Sequence, residues 1–303
     1  MVKNKRILIT GGRGFIGSAL AKRLSPDNDV TIFDIASGGD ILDRTALGSA
    51  VKNSQIIIHT AARVGVSEVH DDPIATLQVN YTGTANVLAA ALTTGCERLI
   101  CFSTSEIFGM GADKVGEHGT PVFPDATDPR WCYAVGKLAA EHLALGYYKQ
   151  YGLPVTIVRP FNVFGEGRVG NHALLNFITN ALKGDELIVY GTGEQVRAWC
   201  HIDDFCDAVI EMLETDRAIF GKAFNIGNPW NAISVGNLAR KVRWLCGRYL
   251  SCGIVFKPAP FTDIMMRIPD IALARSILGF EPKVGLEEGL IRTIEWIKEQ
   301  KYV

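Results

Sequence analysis

Six short and continuously apolar runs punctuate the chain: RILIT (6–10), VTIFD (30–34), IIIHTA (56–61), RLICFST (98–104), VTIVRP (155–160) and AFNIG (223–227). Their hydrophobic positions follow one another instead of alternating, which predicts strands covered on both faces, as in a parallel sheet. Between them lie helical periodicities. PIATLQVNYTGTANVLAAAL begins at Pro73, a residue tolerated in a first turn, and Gly95 follows as a stop, so one long crossover helix is expected there. Strands alternating with helices imply an α/β fold with a doubly wound parallel sheet of the Rossmann kind. After Pro160 the rhythm weakens, and GEGRVGN, YGTGEQVRAW and FKPAPFTDIMMRIPD are glycine- or proline-bearing stretches between short helices. They predict a smaller α/β lobe laid over the sheet. Because AFNIG still has the pattern of a sheet strand, the chain is expected to cross between the parts more than once. Residues 1–165 and about 196–228 would form the sheet domain, and about 166–195 and 229–303 the lobe. The closing LEEGLIRTIEWIKEQ is an amphipathic helix with a packing role.

Length and composition narrow the picture further. The 303 residues are twice a soft prior of ~150 per domain, so one large or two intimately joined domains are expected. With 48% hydrophobic and 21% charged residues the chain can bury a sizeable core, which excludes disorder. Lys and Arg number 31 against 32 Asp and Glu, so no basic excess exists for nucleic acid or an anionic membrane, and phosphate recognition must be local. Seven cysteines form an odd set with no C-x-x-C pair, and MVKNKR leads into only ILIT before glycines. No apolar run approaches the ~18 residues of a membrane span. A reduced, cytoplasmic protein is the expectation.

The first strand runs directly into Gly11 and then Gly12-Arg13-Gly14-Phe15-Ile16-Gly17, a G-x-G-x-x-G spacing that opens a predicted helix. Glycines at 11, 12 and 14 permit a tight turn and let backbone amides approach a pyrophosphate. The helix N-terminus adds partial positive charge, and Gly17 lets helix and strand pack closely. Asp34 ends the second strand at about the 20-residue distance expected of an acid that accepts from the adenosine ribose hydroxyls. A carboxylate there repels a 2′-phosphate, so NAD is favoured over NADP. Asp40 and Ile41 lie where a side chain and a backbone amide would meet adenine. The plainer alternatives are a strand-end turn former for Asp34 and a solvated loop residue for Asp40.

Tyr133 and Lys137 stand four apart in the helical run WCYAVGKLAAEHLALGYY, which stacks them on one face. A tyrosine with a reference pKa of ~10 serves as a base near neutrality only if positive charge favours its phenolate. An ammonium and a positively charged nicotinamide would supply that charge, letting the pair take a proton from a substrate hydroxyl while hydride leaves.

TGGRGFIG, Asp34, HTAA (59–62), the Asn80 helix, FSTSEIFG (102–109), YAVGK (133–137), RPFNVFG (159–165), YGTGEQVRAW with HIDD, and the RIPD, LGFEP and LEEGL segments span nearly the whole chain. Together they resemble the extended short-chain dehydrogenase/reductase family, in its NAD-dependent nucleotide-sugar epimerase/dehydratase branch. The resemblance implies that Thr104 hydrogen-bonds the reacting sugar hydroxyl and that Tyr133 is the general base. Lys137 would lower the tyrosine pKa and hold the nicotinamide ribose. Gly11, Gly14, Phe15, Ile16, Gly17, Asp34, Asp40, Ile41, Ala61, Ala62 and Asn80 would line the cofactor site, with Tyr133 and Lys137. Asn162, Arg197 and Arg267 match positions that contact the nucleotide diphosphate or the adjoining sugar, with surface ion pairing as the alternative for the arginines. A homodimer through the Tyr133 helix and the Pro73–Leu92 helix is also implied.

Ser105 and Glu106 bear on the outcome. Thr-Ser-Glu is similar to UDP-glucuronate decarboxylases and to GDP-mannose 4,6-dehydratases. A Glu at that place would remove an acidified C5 proton, shape the site around a departing carboxylate, or turn toward the backbone of its own turn. The expected substrate is a nucleotide sugar, a UDP-sugar foremost, oxidised at C4. A UDP-sugar 4-epimerase leads because that outcome is common in the branch, whereas Ser105-Glu106 argues for UDP-glucuronate decarboxylation or 4,6-dehydration.

Other chemistries find less support. The six histidines contain no H-E-x-x-H, so no metal site is expected, and no G-x-S-x-G elbow marks a serine hydrolase. Asp203 and Asp204 after His201 suit helix capping, and the cysteines suit small core positions. A catalytically silent NAD-binding sensor or scaffold is the alternative of another class, disfavoured because Thr104, Tyr133 and Lys137 are all kept.

Overall fold

All six apolar runs become strands of one parallel sheet: β1 (Arg6–Thr10), β2 (Asp29–Phe33), β3 (Ile56–His59), β4 (Arg98–Phe102), β5 (Val155–Pro160) and β6 (Ala223–Ile226). These strands come from a computed structural model that describes residues 2–170, 172–248, 251–260 and 262–300. The order is β2-β1-β3-β4-β5-β6. Chain direction across the sheet reverses between β1 and β3, which opens a crevice at their carboxyl ends, where such sheets bind ligands. Continuous hydrophobicity has a direct cause. Ile7 and Ile9 of β1 enter one core with α1 (Phe15–Leu24), while Leu8 enters a second core with α2 (Arg44–Val51). Edge strand β2 is covered least, with Ile32 exposed.

The helix expected from Pro73 is interrupted. An α segment, Pro73–Leu77, passes into a π-helical stretch, Gln78–Gly83, before α3 (Thr84–Thr94) ends at Gly95 in the left-handed conformation. Two observations account for the widened turn. Asn80 directs its side-chain amide onto the Arg63 backbone, and a Cβ at Gly83 would stand 2.4 Å from the Ile41 side chain. Such bulges in otherwise α-helical runs are frequent at functional sites.

Helix α4 (Cys132–Tyr151) carries the Tyr-Lys pair against the sheet. Its Glu141 receives both Arg159 Nε (2.9 Å) and Nη2 (2.7 Å), a buried bidentate pair that ties α4 to β5. Arg159 Nη1 also donates to the Glu117 carbonyl, and Glu117 accepts from the Asn225 amide of β6.

The lobe packs α5 (Ala173–Lys183) against later helices over a core containing Leu174, Phe177, Ile178, Leu238 and Ile294. Its three-stranded sheet places Val196–Ala198 between Ala232–Ser234 and Met266–Arg267. The expected boundary near 196 therefore moves to the far side of Ala198, because that strand finds its partners in the lobe. Helix α6 (Ile202–Glu214) returns to the main sheet, where Phe205, Val209 and Met212 join the core of β1 and β4. Residues Ile271, Ala274, Leu278 and Phe280, expected in the lobe, also pack in that core beside β6.

Asp203 and Asp204 do not cap α6. His201 does so, accepting from the Asp203 amide through Nδ1. Buried Asp204 accepts from the Lys283 and Val284 amides, and Asp203 joins Arg23 of α1 and Arg292 of α7 (Leu286–Glu299). Each acid holds a distant segment instead of its own helix end. Among the described residues no helix is long and apolar enough to cross a membrane.

Candidate active site

The crevice between β1 and β3 is shaped by absent side chains. Gly11 is left-handed at φ 71°, and a Cβ there would stand 2.6 Å from the Ala61 backbone nitrogen. At Gly17 a Cβ would stand 2.2 Å from the Gly11 carbonyl oxygen, so α1 is seated directly on the turn. Gly14 meets that same oxygen at a tolerable 3.2 Å and caps α1 without a side chain. The first-turn amides of Phe15 and Ile16 therefore face an uncrowded approach, which fits the pyrophosphate of a dinucleotide. Asp34 is buried, and its two oxygens accept from the Arg13 amide (2.8 Å) and the Ala36 amide (2.9 Å). Those contacts fix the carboxylate beside the glycine turn and leave each oxygen a further lone pair for a ribose hydroxyl.

Three of the expected cofactor residues also make contacts within the protein. Asn80 is fully buried, accepting from the Arg63 amide (3.1 Å) and donating to the Arg63 carbonyl (2.8 Å), so it fixes the loop that carries Ala61 and Ala62. Asp40 accepts from the Leu42 amide in its own turn. Ile41 is a core side chain whose carbonyl takes the Asn86 amide.

Beneath the crevice lies a polar chain that the sequence did not disclose. His59 bonds Thr10 Oγ1 at 2.7 Å and Thr84 Oγ1 at 3.0 Å, and Thr84 donates to the Asn80 carbonyl. Burial, and then the Lys137 charge, push His59 down to about 3, so it is neutral. Since Thr84 has given its proton to Asn80, His59 Nε2 is the donor and Nδ1 the acceptor from Thr10.

Tyr133 and Lys137 lie one turn apart on α4. The Tyr133 phenol is enclosed, and burial pushes it up to about 12, offset in part by hydrogen bonding with Thr104. Glu106 raises it further, while Arg267 and Arg168 draw it down. Lys137 is buried, with its ammonium on the Phe102 carbonyl at 2.8 Å, and burial lowers its own pKa. Thr104 ends the β4 extension, and its hydroxyl accepts from the Glu106 amide. Ser105 is buried in the turn that follows.

Glu106 does not turn to its own backbone. Its oxygens meet Arg130 Nη2 at 2.8 Å and Arg267 Nη2 at 2.7 Å, with all three side chains nearly buried. Burial alone would raise the carboxyl, but Arg267 and Arg130 outweigh it and hold the group down to about 2. Arg267 and Arg197 are register partners in the lobe sheet, which sets their side chains close together. Burial, then repulsion from Arg267, pushes Arg197 down to about 10, and Asp263 pairs with it at 2.7 Å. Neither arginine is a surface ion pair. Asn162 occupies the left-handed region at φ 36° and donates to the Ala198 carbonyl, one residue from Arg197.

Two site residues went unseen in the sequence. Arg130 lies three residues before Tyr133, inside DPRWCY. Arg168 lies in GEGRVGN, where a lone cation among glycines was the available signal. Its guanidinium sits 5.1 Å from the Phe15 ring centroid, joining the glycine turn to the Tyr133 side of the crevice. Among the described residues no carboxylate pairs with it.

The sequence profile of the NAD dependent epimerase/dehydratase family matches residues 7–227, from the first strand of the sheet to the end of the last. The chain belongs to that family. It is 35% identical to UDP-N-acetyl-alpha-D-glucosaminuronate decarboxylase of Bacillus cytotoxicus, over 97% of this chain and 98% of the relative. It is 34% identical to UDP-glucuronic acid decarboxylase 1 of Xenopus tropicalis, over 98% of this chain and 73% of the relative. In structure it is similar to UDP-glucuronic acid 4-epimerase of Bacillus cereus in complex with UDP-glucuronic acid and NAD. That likeness has a TM-score of 0.85 at 26% identity and covers 97% of this chain and 99% of the epimerase. Like the rest of its family the chain is an NAD-dependent enzyme, and the glycine cradle with Asp34 is where the dinucleotide fits.

Proposed function

We propose that this epimerase/dehydratase family member decarboxylates a UDP-hexuronate through a 4-keto sugar. One observation carries the choice. Arg267 and Arg168 bear on the Tyr133 phenol, and while Arg130 and Arg267 meet Glu106 and Arg197 meets Asp263, Arg168 has no acid partner among the described residues. With Arg197 and Arg267 at positions that match diphosphate contacts, Arg168 is left to meet an anion on the sugar itself. A hexuronate brings one at C6, and the UDP is supported by the decarboxylase relatives.

Bound NAD supplies the hydride acceptor for C4 and afterwards the hydride donor. The protein's part is to hold and move protons. Tyr133 takes the proton of the C4 hydroxyl while Thr104 orients that hydroxyl. Lys137, with Tyr133, would hold the nicotinamide ribose. Once C4 is a ketone, the C6 carboxylate is that of a β-keto acid. The C5–C6 bond breaks, its electron pair enters the C4 carbonyl as an enolate, and carbon dioxide leaves. Thr104 and Tyr133 hydrogen-bond the enolate oxygen, C5 takes a proton from water, and Tyr133 returns the first proton to the C4 oxygen as C4 is reduced. No acid or base at C6 is needed, which suits a Glu106 engaged by two arginines.

Epimerisation at C4 is the second reading, supported by the likeness to the B. cereus 4-epimerase. Incubation with UDP-glucuronate, UDP-N-acetylglucosaminuronate, UDP-glucose and GDP-mannose, followed by mass spectrometry, tests the choice. Loss of carbon dioxide from a uronate is expected. A change of configuration without a change of mass overturns it in favour of epimerisation, and loss of water overturns it in favour of dehydration.

The same reading includes a homodimer. Ile74, Tyr81 and Val135 are 70%, 40% and 45% exposed on neighbouring turns of the Pro73 segment and α4. This apolar face supports pairing with a second copy, and a monomer by light scattering at micromolar concentration overturns it. All seven cysteines are free, which supports a reducing, cytoplasmic setting.

A further inference from the structure

The fate of a 4-keto sugar depends on what stands ready to act at C5. Oxidation of C4 acidifies the C5 hydrogen, and a carboxylate within reach would remove it, opening the way to elimination or to exchange with solvent. Glu106 is the carboxyl group whose charge bears on the Tyr133 phenol, so its state decides whether this route is open.

Both Glu106 oxygens are engaged, one by Arg130 and one by Arg267, at 2.8 and 2.7 Å. The two arginines come from different elements. Arg267 belongs to the lobe sheet, beside Arg197. Arg130 belongs to the short 3-10 turn Pro129–Trp131 that delivers the chain into α4, and the Asp128 side chain accepts from its amide. Its guanidinium carbon lies 5.0 Å from the Trp131 ring centroid, and its side chain is only 5% exposed. Its Nε is buried without a hydrogen-bond partner among the described residues. A guanidinium buried at that cost is placed for its contact with Glu106 and not for solvation.

The geometry points to Arg130 as a positioning residue that, with Arg267, locks Glu106 into an ion pair and denies it the role of base at the sugar C5. In this way Arg130 selects the outcome after C4 oxidation. The ketone loses carbon dioxide where a C6 carboxylate is present, and the C5–H bond of a sugar lacking that carboxylate stays intact. With Arg130 removed, Glu106 keeps one contacting guanidinium, Arg267, and the more remote charge of Arg197 in a buried setting that by itself raises its pKa, and it gains basicity. The step then opened is balanced. The C5–H bond breaks, its electron pair enters the C4 carbonyl as an enolate, and Glu106 holds the proton until it exchanges with solvent.

This inference rests on the decarboxylase reading for its natural substrate but is tested apart from it. The UDP-pentose product of UDP-glucuronate is incubated with holoenzyme in heavy water, and deuterium at C5 is followed by mass spectrometry. Wild type is expected to exchange slowly, and Arg130→Met at least about tenfold faster. Arg130→Lys, which keeps a cation, returns toward wild type, and Glu106→Gln added to Arg130→Met removes the gain. A folded Arg130→Met protein exchanging at the wild-type rate overturns the inference, as does a gain that survives Glu106→Gln. As a readout independent of turnover, carbon-13 NMR of labelled glutamate carboxyls is expected to show the Glu106 titration moving upward in Arg130→Met. An unmoved titration also overturns it. If wild type releases no carbon dioxide from any uronate, the decarboxylase reading fails on its own, and the same exchange is read on UDP-glucose.

Discussion

Replacing Gly17 by alanine tests whether the seat of α1 on the glycine turn is what forms the dinucleotide cradle. The added methyl would lie 2.2 Å from the Gly11 carbonyl oxygen and 2.9 Å from the Gly12 Cα, both backbone atoms that no rotamer change can move aside. Contact at an ordinary ~3.4 Å or more therefore requires α1 to lift by about 1 Å, an overpacking strain on the order of 3 kcal/mol. At about 2–4 °C per kcal/mol for a chain of this size class, the melting temperature should fall by roughly 6–12 °C. Lifting α1 also carries the Phe15 and Ile16 amides away from the turn, so NAD affinity should fall by at least about tenfold, equivalent to ~1.4 kcal/mol. Gly14→Ala is the control. Gly14 has φ −70°, which any residue adopts, and its Cβ meets only the Gly11 oxygen at 3.2 Å. That variant should melt within about 1 kcal/mol of wild type yet bind NAD more weakly, because its methyl stands over the helix N-terminus. Calorimetric unfolding and titration with NAD measure both. A Gly17→Ala protein that melts with wild type and binds NAD with wild-type affinity refutes the reasoning.

Further outcomes follow from the buried charges. Glu141→Ala takes from buried Arg159 its bidentate carboxylate, leaving the Glu117 carbonyl and the Phe108 ring beside it, and should cost about 3–5 kcal/mol in urea unfolding, whereas Glu141→Leu with Arg159→Met should recover much of it; a loss under ~1 kcal/mol would show the pair to be solvated. Arg168→Ala should weaken binding of UDP-glucuronate about tenfold in calorimetry and leave UDP-glucose unchanged, as expected for a charged hydrogen bond; equal loss for both ligands would place Arg168 on the diphosphate instead. Burial lowers His59 and His172 from 6.5 to about 3, so the unfolded chain takes up their protons first as the pH falls. Stability is thus intact above pH 6.5 and declines toward about 3, by ~1.4 kcal/mol per pH unit for each histidine. His59→Asn should halve that slope between about pH 6.5 and 5.5, before unfolded Glu106, with its ordinary value of 4.5, begins to take up protons, and an unchanged slope would mean that His59 is not held neutral.

Much of the fold was legible because it rests on local patterns. A strand buried on both faces needs an uninterrupted apolar run, and each of the six runs entered the sheet. The glycine turn was equally plain, since close backbone approach removes every residue but glycine from those positions. Helix interruption at Gln78–Gly83 was not legible, because its causes, the Arg63 backbone and the Ile41 side chain, come from elsewhere in the chain. The domain boundaries shifted for a related reason. A three-residue strand such as Val196–Ala198 has no preference of its own for either part and goes where its partners are.

The sequence by itself determined the class of chemistry: a dinucleotide turn, an acid at the end of β2, and a Tyr-Lys pair one helical turn apart are specified by spacing alone. Only the tertiary structure decided the charge state of the site. Glu106, Arg130 and Arg267 are far apart in the chain, and nothing in their local sequence shows that they meet below the surface. Coulomb interaction depends on distance and burial, and both are properties of the folded molecule. The same holds for Arg168, a loop cation in the sequence and, in the fold, a guanidinium beside Phe15 with no acid partner among the described residues.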